Sequence, residues 1–265
     1  MSSTSGSPST PSPAVEARGD GSAPPSVRTE DLWKTYGEGE TAVHAVQRVS
    51  ITIERGEFVV LSGPSGSGKT TLVNLIGGLT DPSRGKVWVA GEEVGAMSER
   101  ARARMRLEHI GFVFQAFNLL PVLSALENAE FPLMLRGVDR DTRRAAVREL
   151  FEEIGLGGLE DRRPGALSGG QQQRVAVARA VLGAPALVLA DEPTANLDTS
   201  ASDALLGVME LLNQERHVTF IFCTHDPFVM RRARRIIRLV DGHVERDAEK
   251  EPGDLPSWVL EPVGT

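Results

Sequence analysis

The residues best suited to chemistry form one run, Gly63-Pro64-Ser65-Gly66-Ser67-Gly68-Lys69-Thr70-Thr71. Gly63, four residues, then Gly68-Lys69-Thr70 is the spacing of a phosphate-binding loop. Glycines such as Gly63, Gly66 and Gly68 let backbone N–H groups converge on an anion without Cβ clashes. Ser65, Thr70 and Thr71 add hydroxyls to the same loop. A helix opening at this point supplies free N–H groups and partial positive charge. Lys69 can reach β- and γ-phosphates, and the Thr70 hydroxyl can ligate Mg²⁺. A glycine-rich turn with a chance lysine is the alternative. It leaves unexplained the apolar run Phe58-Val59-Val60-Leu61 before the loop and the helical pattern over 72–79 after it.

A second set of reactive types follows downstream. Leu187-Val188-Leu189-Ala190 leads into Asp191-Glu192. Asp191 can hold Mg²⁺ or its waters, hard-cation oxygen chemistry that leaves room for phosphate ligands. Glu192 can polarise an attacking water. Alone, two acids at a strand end read as a solvated end or a helix cap; an upstream phosphate loop favours the chemistry. Leu167-Ser168-Gly169-Gly170-Gln171-Gln172-Gln173-Arg174 opens a further helix with a serine and two glycines, a second anion-binding cap. One nucleotide does not need two helix N-termini from distant loops, so a second copy of the chain could supply this one. Tyr36 is the only tyrosine. It reads as a half-buried strand aromatic or as a stacking platform for a purine, with Trp33 its competitor.

The elements that must position these residues are α/β. The chain has 265 residues, 40% hydrophobic and 25% charged, enough for one globular domain of roughly 200 residues or more plus tails. Net charge is −7, which disfavours a nucleic-acid partner. Lysine occurs only at Lys34, Lys69, Lys86 and Lys250, and the one cysteine, Cys223, sits in an apolar run and reads as a buried small hydrophobe in a reducing compartment. No secretory leader or membrane-spanning run is expected.

Residues 1–26, rich in Ser, Pro and Gly, read as a disordered tail. Strands are expected over 27–36 and 42–54, forming a small antiparallel sheet beside the loop, and over 58–61, 86–90 and 110–114. Ser98 caps a helix over 98–107. The stretch 116–165 lacks strands and reads as a helical insertion. It holds a helix over 124–135, ended or kinked by Pro132, and an amphipathic helix over 142–156 with Val147, Leu150, Phe151 and Ile154 on one face. Helices over 169–182, 201–212 and 227–233 then alternate with strands over 187–190, 218–223 and 236–240, and Asp241-Gly242 turns a final hairpin. Alternation of this kind means a largely parallel sheet covered on both faces. Residues 248–265 read as a loosely attached tail.

Gly63 to Thr71, Gln115, the octet 167–174, Asp191-Glu192, Asn196-Leu197-Asp198 and Thr224-His225-Asp226 occur in the order seen in ATP-binding cassette (ABC) ATPases, and the chain resembles that family over about 27–247. The resemblance implies a P-loop NTPase core with a flanking antiparallel β subdomain and an inserted α-helical subdomain, with ATP and Mg²⁺ bound. It implies that Tyr36 stacks on adenine and that Gln115 senses Mg²⁺ and the attacking water. Ser168 and Gly170 would touch the γ-phosphate held by the other protomer, Glu192 would be the base, Asp198 would sit at the dimer seam, and His225 would bind the γ-phosphate and steer Glu192.

The short interval between Gln115 and Ser168 leaves no room for the coiled coil of chromosome-structure ATPases. Gly77-Gly78-Leu79-Thr80-Asp81-Pro82, Phe117-Asn118-Leu119-Leu120-Pro121, Ala125-Leu126-Glu127-Asn128 and 189–198 resemble the branch containing lipoprotein-release, macrolide-export and cell-division ATPases. The resemblance implies a homodimer on the cytoplasmic face of a cell membrane, in a bacterium. Its partner is a permease with a large extracytoplasmic domain, received at 116–135. A division or cell-wall regulator and a polar amino-acid importer ATPase are the other readings.

Overall fold

The structure, a computed structural model, describes residues 23–259. Strand β1 (Val27–Tyr36) is followed by β2 (Val43–Val49), β3 (Thr52–Ile53) and the fully buried β4 (Phe58–Ser62), which enters helix α1 (Lys69–Ile76) through the glycine loop. Next come β5 (Arg84–Val89), the two-residue β6 (Glu92–Glu93), α2 (Glu99–His109) and β7 (Ile110–Phe114). Two helices, α3 (Ala125–Leu135) and α4 (Arg140–Glu153), precede α5 (Gly169–Val181) and β8 (Leu187–Asp191). The chain closes with α6 (Thr199–Arg216), β9 (Phe220–Cys223), α7 (Pro227–Arg232), β10 (Arg235–Val240) and β11 (His243–Glu249).

The central sheet has the order β11-β10-β4-β9-β8-β7 and is parallel except for the β10–β11 hairpin. Side chains alternate across a strand, so each apolar run feeds two cores. Phe58, Val60, Phe220, Phe222, Val188 and Ala190 join the core shared with the α3–α6 helices. Val59, Leu61, Ile221, Leu187, Leu189 and Ile237 join the other, beneath α1, β1 and β2. That double coverage is why these strands are continuously apolar instead of alternating. A second, antiparallel sheet, β2-β1-β5-β6 with β3 on β1, flanks the first.

The reading of a largely parallel sheet covered on both faces therefore matches the fold, with both the antiparallel sheet and the helical segment in place. Pro132 does not end its helix: α3 runs on to Leu135. A proline in the third turn forfeits one N–H bond, and the ladder resumes with Arg136 N donating to Pro132 O at 3.1 Å. Packing of α3 between α4 and α5 offsets the loss. Arg136 then ties the insertion back to the core, its guanidinium donating to Leu107 O, Glu108 O and Gly183 O.

Both tails are anchored where they are described. Ser26 is buried; its hydroxyl donates to Ala186 O (2.9 Å) and lies 2.8 Å from Thr219 Oγ1. Pro24 O accepts from Arg55 Nε at 2.9 Å. At the other end, Leu255, Trp258 and Val259 pack on the larger core, and Gly253 N donates to Arg231 O at 2.7 Å. The expectation of disorder for 1–22, and whatever was expected of 260–265, lies outside the described residues.

Gly111 in β7 sets the distance between the sheet and α5. A Cβ there would stand 2.3 Å from Ala180 O, a backbone atom that cannot yield. Gly111→Ala should destabilise the chain by about 2 kcal/mol or more, the cost of overpacking, read as a lower urea midpoint at unchanged slope.

Candidate functional site

The glycine loop bends from β4 into α1 with Gly63 at φ 137° and Gly68 at φ 100°. A Cβ on Gly63 would come 2.1 Å from Leu239 O, and one on Gly68 2.1 Å from Ala45 O. Two of the loop's glycines are therefore fixed by backbone packing on β10 and β2, as well as by their conformation. Gly66, at φ 81°, faces open space. Gly242 N, in the β10–β11 turn, donates to Ser67 O (3.1 Å), and Gln47 Nε2 to Asp241 O (2.9 Å). The Lys69 ammonium lies across the loop, donating to Gly63 O and Pro64 O at 2.8 Å each. The first N–H groups of α1 have no partner within the helix.

Strand β8 delivers the carboxylates. Asp191 is half-buried, and burial pushes its carboxyl above the usual range; the neighbouring Glu192 charge adds to this, while the Cys223 thiol and Lys69 oppose it. Burial and the Asp191 charge push the Cys223 thiol up to about 12, so it stays protonated. Glu192 sits at φ 45°, left-handed for a residue with a side chain, a conformation that costs of order 1–3 kcal/mol and persists only where its surroundings impose it. Here Glu192 N donates to Cys223 O (2.9 Å), and both carboxylate oxygens are taken: Thr224 Oγ1 donates to Oε2 (2.7 Å), and His225 Nδ1 lies 2.7 Å from Oε1.

The loop after β7 is bound to the turn after β8. Gln115 Nε2 donates to Asn196 Oδ1 (3.4 Å), and Asn196 Nδ2 to Gln115 O (3.0 Å). Phe117 and Asn118 are both left-handed, at φ 58° and 51°. Arg179 of α5 holds this strained pair through Asn118 O (2.6 Å) and Phe117 O (3.0 Å). Burial holds its guanidinium below the usual arginine value. From the same helix the fully buried Gln173 donates to Phe114 O (3.2 Å) and Pro193 O (2.8 Å). The octet's helix is thus bolted to both chemical loops.

Ser168 caps α5 in a reciprocal box with Gln171: its hydroxyl accepts from Gln171 N (3.3 Å), and Ser168 N donates to Gln171 Oε1 (2.9 Å). Among the described residues no hydrogen bond joins Ser168 or Gly170 to 63–71. Asp198 caps α6, accepting from Ala201 N at 2.8 Å. Tyr36 ends β1 opposite Val43 and is 44% exposed. Trp33 is engaged on several sides, by Asp31, His44 and Arg48. Lys34 Nζ lies over the Tyr36 ring, 5.0 Å from its centroid, and Tyr36 is the more exposed of the two aromatics.

The structure thus brings the loop, Asp191, Glu192, His225 and Gln115 onto adjoining strand ends and leaves Ser168 and Gly170 on a separate helix start. Thr224, Asn196, Gln173 and Arg179 went without a role in the sequence. Each acts through a partner distant in the chain; Thr224, Asn196 and Gln173 lay inside runs that the sequence singled out, and Arg179 lay in none.

A phosphate loop on β4 with a carboxylate pair ending β8 defines a P-loop nucleotide-binding ATPase. Residues 46–195 match the ABC transporter family model, and the chain belongs to that family. An uncharacterised ABC transporter ATP-binding protein from Thermotoga maritima is 46% identical over 215 residues, 81% of this chain and 92% of that protein. The lipoprotein-releasing system ATP-binding protein LolD of Anaeromyxobacter dehalogenans is 46% identical over 226 residues, covering 85% and 95%. The macrolide export ATP-binding/permease protein MacB of Syntrophobacter fumaroxidans is 45% identical over 232 residues, covering 87% of this chain and 32% of MacB. The dimeric ATP-binding cassette MJ0796, solved in a post-hydrolysis state with ADP and Pi, superposes at a TM-score of 0.75 with 40% identity, covering 84% and 98%. The chain is an ATP-binding subunit and an ATPase of this family.

Above its raised pKa the ionised Asp191 carboxylate costs stability, because burial penalises the charge. Asp191→Asn should therefore raise the melting temperature of the nucleotide-free chain near neutral pH, by calorimetry. A fall would mean that Lys69 and Cys223 outweigh burial.

Proposed function

We propose that the chain is the ATP-hydrolysing subunit of a transporter or mechanotransmitting complex, acting as a homodimer that closes over two ATP molecules. The observation that carries the hydrolytic part is the Glu192 carboxylate, fixed by Thr224 and His225 one residue beyond Asp191. The residues of the glycine loop fit a triphosphate: N–H groups at the start of α1 that take no side-chain cap among the described residues, the open side of Gly66, and one lysine. Ser65, Gly66, Gly68, Thr70 and Thr71 would line the phosphates, and Lys69 would leave its loop carbonyls for phosphate oxygens. Tyr36 would stack on the base.

The Thr70 hydroxyl, the Asp191 carboxylate and the Gln115 amide oxygen fit Mg²⁺, which keeps most of its shell for water and phosphate. When bound, Mg²⁺ would neutralise phosphate charge. Among the described residues no three His, Cys, Asp or Glu come together as metal ligands, so tight metal binding without nucleotide is not expected. Glu192 would take a proton from water as the water oxygen adds to the γ-phosphorus and the bond to the bridging oxygen breaks, giving ADP and phosphate. His225 would meet the γ-phosphate, and Ser168 and Gly170 would come from the second protomer, since their helix start is free of the chain's own loop.

A separate permease would supply the membrane part. Between α3 and α4 lies a groove of ≈ 400 Å³ lined by Leu123, Phe131 and Met134 together with Glu127, Glu130, Arg140, Arg143 and Arg144, of which Arg143 and Arg144 pair with Glu130. Leu120, Val122 and Leu135 are exposed on the same insertion. A groove lined by both apolar and charged side chains suits an amphipathic segment of a partner, at the cytoplasmic face of the membrane. MacB, whose name joins ATP-binding and permease parts, is matched over only 32% of its length.

Glu192→Gln should keep ATP binding and lower turnover by about 10²-fold or more, in line with loss of a general base, while trapping an ATP-bound dimer visible by size-exclusion chromatography. Wild-type turnover would exclude Glu192 as the base. Tyr36→Ala should weaken ATP affinity more than it lowers kcat, measured with a fluorescent analogue and a steady-state assay. Unchanged affinity would leave Tyr36 a surface aromatic.

A further inference from the structure

We infer that Thr224 is the positioning residue for the Glu192 carboxylate, its permanent anchor, with His225 the releasable one. The inference rests on Glu192 being the base. The two partners hold different oxygens and differ in kind. Thr224 is fully buried, and its hydroxyl is directed from both sides. Asp226 N donates to its Oγ1 at 3.1 Å, occupying a lone pair, and its single proton goes to Glu192 Oε2 at 2.7 Å. Asp226 is itself fixed, its carboxylate accepting from Phe228 N (2.8 Å) and from Thr194 Oγ1 (3.4 Å). The network thus closes on the turn that follows Glu192.

His225 is the opposite case. Its side chain is 81% exposed, and its bond to Oε1 needs a proton on Nδ1, a tautomer nothing else enforces. An exposed imidazole can turn to a phosphate oxygen at little cost, and doing so uncovers Oε1 alone. Oε2 stays on Thr224. The carboxylate then presents one free oxygen in a fixed direction, as a base that must meet one water requires. The strained backbone of Glu192 sharpens the need. Without the Thr224 bond only His225 would orient the side chain, and the same imidazole would be needed at the phosphate.

The test uses the full chain and four variants: Thr224→Val, Thr224→Ser, Glu192→Gln, and the Thr224→Val, Glu192→Gln pair. Thr224→Val removes the hydroxyl at nearly constant shape. It should lower kcat for ATP by at least about tenfold, the scale of one charge-assisted hydrogen bond. KM should stay near wild type, the melting temperature should fall because Asp226 N loses its acceptor, and Thr224→Ser should restore the melting temperature and bring kcat to within about threefold. In the Glu192→Gln background the valine change should cost nothing further, because Thr224 acts through the carboxylate. Thr224→Val at wild-type kcat overturns the inference. So does a loss that serine does not rescue, or one that persists undiminished in the Glu192→Gln background. Wild-type turnover of Glu192→Gln alone instead sinks the assignment of the base, so the two failures are distinguishable.

Discussion

The site depends on the register of three parallel strands. Leu61 of β4 pairs with Cys223 of β9, and Cys223 pairs with Asp191 of β8. Those pairings bring three chain segments to an end at one level of the sheet. The glycine loop leaves β4 there, the carboxylates end β8, and Thr224-His225 follow β9. In a parallel sheet the C-terminal strand ends share an edge, and ligands gather outside it. A slip of one residue in either pairing would turn each side chain to the opposite face and separate Glu192 from Thr224. The hydrophobic cores on both faces therefore protect the chemistry as well as the fold.

Much of this was legible in the sequence, because parallel strands buried on both faces are apolar throughout and are punctuated by glycine and proline. The bounds of β1 and β7 and the Ser98 cap of α2 follow from residue types alone. Pro132 does not terminate α3, which keeps the expected end at Leu135, because propensity is local whereas α3 is packed between other helices. The anchoring of Ser26 was invisible because a serine in a low-complexity stretch carries no sign of a distant carbonyl. The phosphate loop and the carboxylate pair announce themselves by type and spacing. The residues that hold them, Thr224, Asn196, Gln173 and Arg179, work through partners 20 to 81 positions away, so even where a motif run contains them their contacts leave no local pattern.

Helix α5 is the other organising element. It carries the octet's serine and glycines at its start, Gln173 in its first turns and Arg179 near its end. Through these it grips the turn after Asp191-Glu192 and the strained pair Phe117-Asn118. Gly111 brings the sheet against it at backbone distance. Helices packed on one another, and the side chains of Gln173 and Arg179 bonded to backbone carbonyls, link α3 to the turn after the carboxylates with few soft joints.

The β10–β11 turn holds nothing reactive, yet it braces the phosphate loop. Gly242 N reaches Ser67 O, Leu239 O lies where any side chain at position 63 would fall, and Ala45 O does the same for position 68. The anion cradle is thus cast between two hairpins before any phosphate enters, and little of the binding energy need be spent on shaping it. The far C-terminal hairpin is in that sense part of the mould. Loosening it, at a distance from every catalytic group, would soften the fit between the loop and its ligand without touching either.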